Sequence, residues 1–141
     1  MSLFEERLAD LTLRVDDYAL ERLQREVSSA FSRVSTVIHL HGGGEEGIGE
    51  DVTYDAVDHD VLQAAGPVLA LAGARTLGEF CDHLEALDLW PEPPQREPSR
   101  LYRIWGYESA ALDLALRQAG TSLHEHLGRE LQALTLSLIH I

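Results

Sequence analysis

The sequence predicts an α+β fold: a three-stranded antiparallel meander followed by a helical bundle. The first half carries period-two alternation and β-branched residues around a run of glycines. The second half carries helical periodicity with recognisable start and stop residues. Strand and helix signals fall in separate blocks, which implies α+β and not alternating βαβ units.

The elements are taken in chain order. In LADLTLRV, Leu11, Leu13 and Val15 alternate with Thr12 and Arg14, the pattern of a half-buried first strand. Leu20 to Val27 reads as a polar connection with helical spacing. RVSTVIHLH predicts a second strand, with Val34, Thr36, Ile38 and Leu40 on one face. Ser35, Val37, His39 and His41 fall on the other. Gly42, Gly43 and Gly44 then form a hairpin turn, because only glycine takes positive φ without strain. EGIGEDVTY is the third strand.

DAVDHDVLQAA opens with acids that suit a helix N-terminus and stops at Gly66-Pro67. TLGEFCDHLEALDLW opens on a capping box, Thr76 with Glu79, and places Leu77, Phe80, Leu84 and Leu87 on one face. The proline-rich WPEPPQREPSR is a loop. Ser99 caps the clearest helix and Gly120 ends it, with Leu101, Ile104, Glu108, Ala111, Leu112, Ala115 and Ala119 at helical spacing. TSLHEHLG is a last short helix.

The chain's 141 residues suffice for one domain with a real core. Its 24 acidic residues against 11 arginines and no lysine give a net charge of −13. That balance excludes nucleic acid and anionic membrane surfaces as partners, since both need basic patches. The longest apolar run, AAGPVLALAGA, is too short for a bilayer. The acidic start, MSLFEERLADL, lacks the basic region of a signal peptide, so a cytoplasmic location is expected. The single cysteine, Cys81, lies in a helical pattern without a basic neighbour and reads as a small buried hydrophobe.

No complete active site is spelled out. His39 and His41 share a strand face about 7 Å apart. They suit a metal only if Glu45 or Glu50 joins them, and a polar strand end is the preferred reading. GGGEEGIG lacks the G-K-[ST] ending of a phosphate loop and places two carboxylates where phosphate would sit. His124 and His126 are two apart on a helix and do not share a face. Asp55, Asp58, His59 and Asp60 read as complements to a helix N-terminus.

Two segments together resemble the N-terminal capping domain of the enolase superfamily, in its mandelate racemase and muconate lactonizing branch. The first is STVIHLHGGGEEGIGEDVTY, with its G-x-G-E at Gly47-Ile48-Gly49-Glu50. The second is YESAALDLALRQAGTSLHEHLGRE, with A-x-D-x-A-L at Ala111 to Leu116 followed by Gly120, Leu123, Leu127 and Gly128. The resemblance covers roughly Leu8 to Leu134. It implies a parent enzyme in which such a domain caps a (β/α)₇β barrel. The barrel supplies the acid/base residues and the carboxylates that hold Mg²⁺, for proton abstraction α to a carboxylate. Racemases, epimerases, dehydratases and cycloisomerases share that step.

This chain holds neither K-x-K nor strand-end metal ligands, so no catalytic residue carries over and the fragment alone is expected to be inactive. What carries over is the role of two specificity loops: Ser29, Phe31 and Arg33 in one, Val52 and Tyr54 in the other. The implied partners are the chain's own missing barrel and a small carboxylate substrate, and a homo-oligomer is compatible with the resemblance. Residues 1–134 are the capping domain. Residues 135–141 either begin the barrel or are a non-native tail. LSLIHI is what CTG TCT CTT ATA CAC ATC encodes, and that string resembles a transposon end used in preparing sequencing libraries. The alternative reading of the whole is a free-standing acidic interaction or regulatory domain.

Overall fold

The computed structural model describes residues 2–135. The LSLIHI tail lies outside the described residues. In chain order the elements are α1 (Leu3–Arg7), β1 (Thr12–Val15), β2 (Asp17–Ser28), β3 (Phe31–Gly42), β4 (Glu45–Asp51), α2 (Ala56–Ala65), β5 (Gly73–Thr76), α3 (Leu77–Ala86), α4 (Ser99–Gln118) and α5 (Leu123–His126).

The fold is α+β, and β2, β3 and β4 form a three-stranded antiparallel meander. Its first strand is not the expected one. Thr12–Val15 leaves the meander and pairs with β5 in a separate two-stranded sheet. The meander begins instead with Asp17–Ser28, where helical spacing was read. That spacing is overridden because β3 is long, and nearly every residue of β2 has a partner on it, from Asp17 opposite His41 to Ser28 opposite Phe31.

The β3–β4 turn is tighter than a three-glycine loop. Gly43 and Gly44 alone form it, at φ +58° and +81°, the pair of positive values a two-residue hairpin turn requires. Gly42 still belongs to β3, opposite Glu45. A side chain there would run into the Arg14 carbonyl.

Helix α4 packs across β3 and β4 at very short range. Gly47 and Gly49 face it, and a Cβ on either would strike its backbone: Ala110 O and Leu114 N from Gly47, Gly106 O and Ala110 N from Gly49. Gly106 on the helix is equally close to Asp51 and Glu50. This contact corrects the expected helix face. Arg103, Tyr107, Ala110, Ala111 and Leu114 point inward, whereas Leu101 is exposed. Of the expected stripe, Ala111 and Ala115 are buried and Ile104 and Leu112 pack against the core, but the line nearest the sheet runs instead through Gly106, Ala110 and Leu114, opposite Gly47 and Gly49. The core joins Leu13, Val15, Ile38, Leu40, Leu71, Leu77, Phe80, Leu84, Tyr107 and Leu114.

The caps are partly as expected. Thr76 and Glu79 form the capping box of α3, and Gly120 at φ +68° follows the end of α4. Ser99 does not cap α4: it is its first residue, its hydroxyl buried without a partner among the described residues. A second capping box, Ser2 with Glu5, starts the unpredicted helix α1.

Candidate functional site

Strands β2 and β3 run on past the end of β4, whose pairing with β3 stops at Thr36 opposite Asp51. Beyond that point the β2–β3 hairpin projects alone, and the chain leaving β4 folds against its base. Two segments far apart in sequence therefore meet at one end of the meander.

Three of the five residues singled out from sequence come together there. The rings of Phe31 and Tyr54 stack at 5.7 Å between centroids, 23° from parallel. The Arg33 guanidinium lies 5.5 Å from the Tyr54 centroid. It donates to the carbonyls of Val52 at 2.6 Å and of Thr53 and Tyr54 at 3.1 Å each. Arg33 thus replaces the lost strand ladder with side-chain donors and fixes the backbone that carries Tyr54. Val52 joins the group only through its carbonyl, and its side chain is exposed. Ser29 sits in the exposed hairpin turn.

Arg96, the residue that completes the cluster, carries no local sequence signal. It comes from the proline-rich loop, and its guanidinium lies 4.8 Å from the Tyr54 centroid on a second approach. Its Nε is 3.1 Å from Asp55 Oδ2, an ion pair without hydrogen-bond geometry. Tyr54 is therefore held by one aromatic ring and two cations, yet stays about half exposed.

Beneath this surface lies a buried polar frame. Arg103 Nε donates to Asp51 Oδ2 at 2.7 Å. Asp51 Oδ1 accepts from the backbone N–H and hydroxyl of Thr53. His59 Nε2 donates to the Thr53 carbonyl at 2.7 Å, so Nδ1 is left to accept from the Thr36 hydroxyl at 2.8 Å, which in turn accepts from Gln63. The acids at the start of α2 do more than complement its N-terminus, where Asp58 stands in the first turn. Asp55 makes no side-chain cap, Asp58 accepts from the Gln95 backbone N–H, and Asp60 pairs with Arg22 at 2.6 Å. Each has its own tertiary partner.

The two strand histidines lie on the opposite end of the outer face, their rings 6.5 Å apart. Each is bridged by carboxylates: His39 by Glu46 and Glu21, His41 by Asp17 and Glu46. Among the described residues no group of three or more His, Cys, Asp or Glu side chains is arranged to hold a metal ion. No described helix is long and apolar enough to cross a membrane. Cys81 is half-buried, and burial first, then Glu108, Asp82 and Glu85, pushes its thiol up to about 12.

Residues 6–126 match the family described as "Domain of unknown function (DUF8230) N-terminal domain". The chain belongs to this family. The match runs from α1 to the last residue of α5, so the meander, its paired loops and the helices packed on it are the unit that defines a DUF8230 N-terminal domain. No curated protein and no solved structure matches the chain.

Proposed function

We propose that this DUF8230 N-terminal domain caps the active site of an enzyme of enolase-superfamily type, acting in the cytoplasm. It would close two loops over a small carboxylate substrate held by a following barrel. One observation carries the reading: the β2–β3 hairpin and the β4–α2 connection place Phe31, Arg33 and Tyr54 in a single exposed cluster at the end of a three-stranded meander. An aromatic wall on a rigid base suits substrate selection, because pocket walls discriminate by shape while a fixed backbone limits adaptation. The family's own description as an N-terminal domain agrees with a second domain in the parent protein.

In this reading the chemistry belongs to the second domain. Mg²⁺ would be held by the carboxylates of that second domain. The chain contributes shape, exclusion of water and contacts to the part of the substrate away from the reacting carbon. Homo-oligomers are compatible with this arrangement.

The test is the reading frame beyond residue 134 and the protein it encodes. A following (β/α) barrel with strand-end carboxylates and a lysine or histidine base, and Mg²⁺-dependent exchange of the substrate α-proton for deuterium, support the proposal. A following domain of unrelated fold overturns it.

A further inference from the structure

Only two arginines project from the free part of the β2–β3 hairpin on the outer sheet face, Arg25 and Arg33, and they are directly opposed across the strands. Like charges placed opposite each other are unfavourable, and in a chain of net charge −13 a carboxylate neighbour would be the ordinary remedy. None is provided. Neither arginine makes an ion pair among the described residues, a state shared with Arg7, Arg75 and Arg129, but only these two face each other across paired strands. Their neighbours on that face are Leu23, Phe31 and Ser35, and Tyr54 of the β4–α2 connection lies against Arg33. The nearest acid along β4, Glu50, accepts from the Ser35 hydroxyl with a carboxylate that pairs with neither arginine. Arg96 adds a third guanidinium on Tyr54, with only Asp55 against it. Glu50 and Asp55 thus offset only two of the three guanidinium charges.

The excess positive charge therefore sits beside an exposed, stacked aromatic pair. We infer that Arg25, Arg33 and Arg96, gathered around Phe31 and Tyr54, form a binding site for an organic carboxylate. Arg25 and Arg96 take the anionic group, and its apolar stem lies along the aromatic stack. Arg33 is committed to the loop carbonyls and contributes its charge and the position of Tyr54. Guanidinium forks suit carboxylates geometrically, and the aromatic faces supply apolar area at low entropic cost. Assigning that anion as the far end of the substrate, so that the parent enzyme acts on a dicarboxylic acid, rests on the capping reading; binding of the anion does not.

The experiment is a titration of the isotope-labelled 141-residue chain with hexanoate, followed by NMR at the arginine Nε–H groups and the Tyr54 ring, with hexanamide as the neutral control and chloride as the salt control. Saturable hexanoate shifts at Arg25, Arg96 and Tyr54 are expected, absent with hexanamide. Arg25→Gln, at a side chain without a polar partner among the described residues, relieves the opposition to Arg33 and is expected to leave the melting temperature unchanged or slightly raised while weakening binding about tenfold, the scale of one lost charge-assisted hydrogen bond. Arg96→Gln should act similarly. Equal shifts with hexanamide, non-saturating shifts shared with chloride, or wild-type affinity in Arg25→Gln would overturn the site. Saturable binding together with an unrelated second domain would retain the anion site and discard its assignment to the substrate.

Discussion

Arg103 Nε and Asp51 Oδ2 lie 2.7 Å apart, with neither side chain exposed to solvent. The pair joins the second turn of α4 to the last residue of β4. The same guanidinium donates to the carbonyls of Leu89 and Asp58 and lies 3.6 Å from the centroid of the Trp90 ring. Four segments converge on one cation. The loop carrying Tyr54 leaves directly from Asp51, so this pair sets where the candidate site begins.

Removing one member of a buried pair strands the other charge. Asp51→Ala is therefore expected to cost about 3–5 kcal/mol of folding stability, read by urea denaturation followed by far-UV circular dichroism. The double variant Asp51→Ala, Arg103→Met should recover part of that loss, because no unpaired charge remains. Arg103→Lys in the Asp51→Ala background should not recover it, since an ammonium keeps the unpaired buried charge. An Asp51→Ala loss below about 1 kcal/mol would contradict the role given to the pair.

The glycines of G-I-G-E make a second prediction. Gly49→Ala would drive a methyl group into the Gly106 carbonyl and the Ala110 N–H, where backbone cannot yield cheaply. A loss of about 2 kcal/mol or more is expected, at the upper part of the overpacking range. Gly44→Ala meets nothing within 4 Å, and only its φ of +81° is unfavourable. It should cost about 1 kcal/mol. Parallel thermal melts of the two variants check the order, and a Gly44→Ala loss as large as that of Gly49→Ala would refute the packing explanation.

These contrasts also show what could be read from sequence. The inner face of β3, the Thr76–Glu79 box and the inward face of α3 follow from local periodicity and capping, and the structure has all three. Phe31 and Tyr54 were legible as loop aromatics, though not as a stacked pair. Strand β2 was misread because its leucines and valine also fit a helical stripe, and only the length of β3 decides between the two. The face of α4 was legible only in part, through Ala111 and Ala115, because glycines on another element select its closest line. Arg96 and the frame of Asp51, Arg103, His59 and Thr36 carry no local signal, because their partners lie far away in sequence. Asp51 and Arg103, for example, are 52 residues apart.

Cys81 should behave as an inert thiol in the folded chain. Burial and three nearby carboxylates disfavour the thiolate, with the thiol pushed up to about 12. Alkylation by iodoacetamide at neutral pH is expected to be slower than for an unstructured thiol by a factor on the order of 100 or more, because the thiolate fraction falls about tenfold per unit of pKa. The rate should return to the ordinary value in denaturant. Fast labelling under native conditions would show that the thiol is neither buried nor surrounded as described.

The histidine end of the sheet gives a pH dependence with a definite sign. The His39 ring places both nitrogens against carboxylates, Nδ1 at 2.8 Å from Glu46 and Nε2 at 2.9 Å from Glu21. Two acceptors require two N–H groups, so the charged ring is favoured and its pKa is raised, chiefly by Glu46 and then by Glu21. Glu46, facing His39 and His41, is correspondingly lowered. A raised histidine stabilises fully below its unfolded value, about 6.5, and the effect is lost as pH rises through the higher folded value. A lowered glutamate stabilises above its unfolded value, about 4.3, and the effect is lost as pH falls through the folded one. The pair therefore contributes most between roughly pH 4.5 and 6.5. His39→Gln keeps hydrogen-bonding capacity but cannot take up the charge, so it should lower the urea midpoint near pH 6 and leave it almost unchanged near pH 8.5. Equal effects of the substitution at both pH values would show that His39 acts through packing and not through its proton.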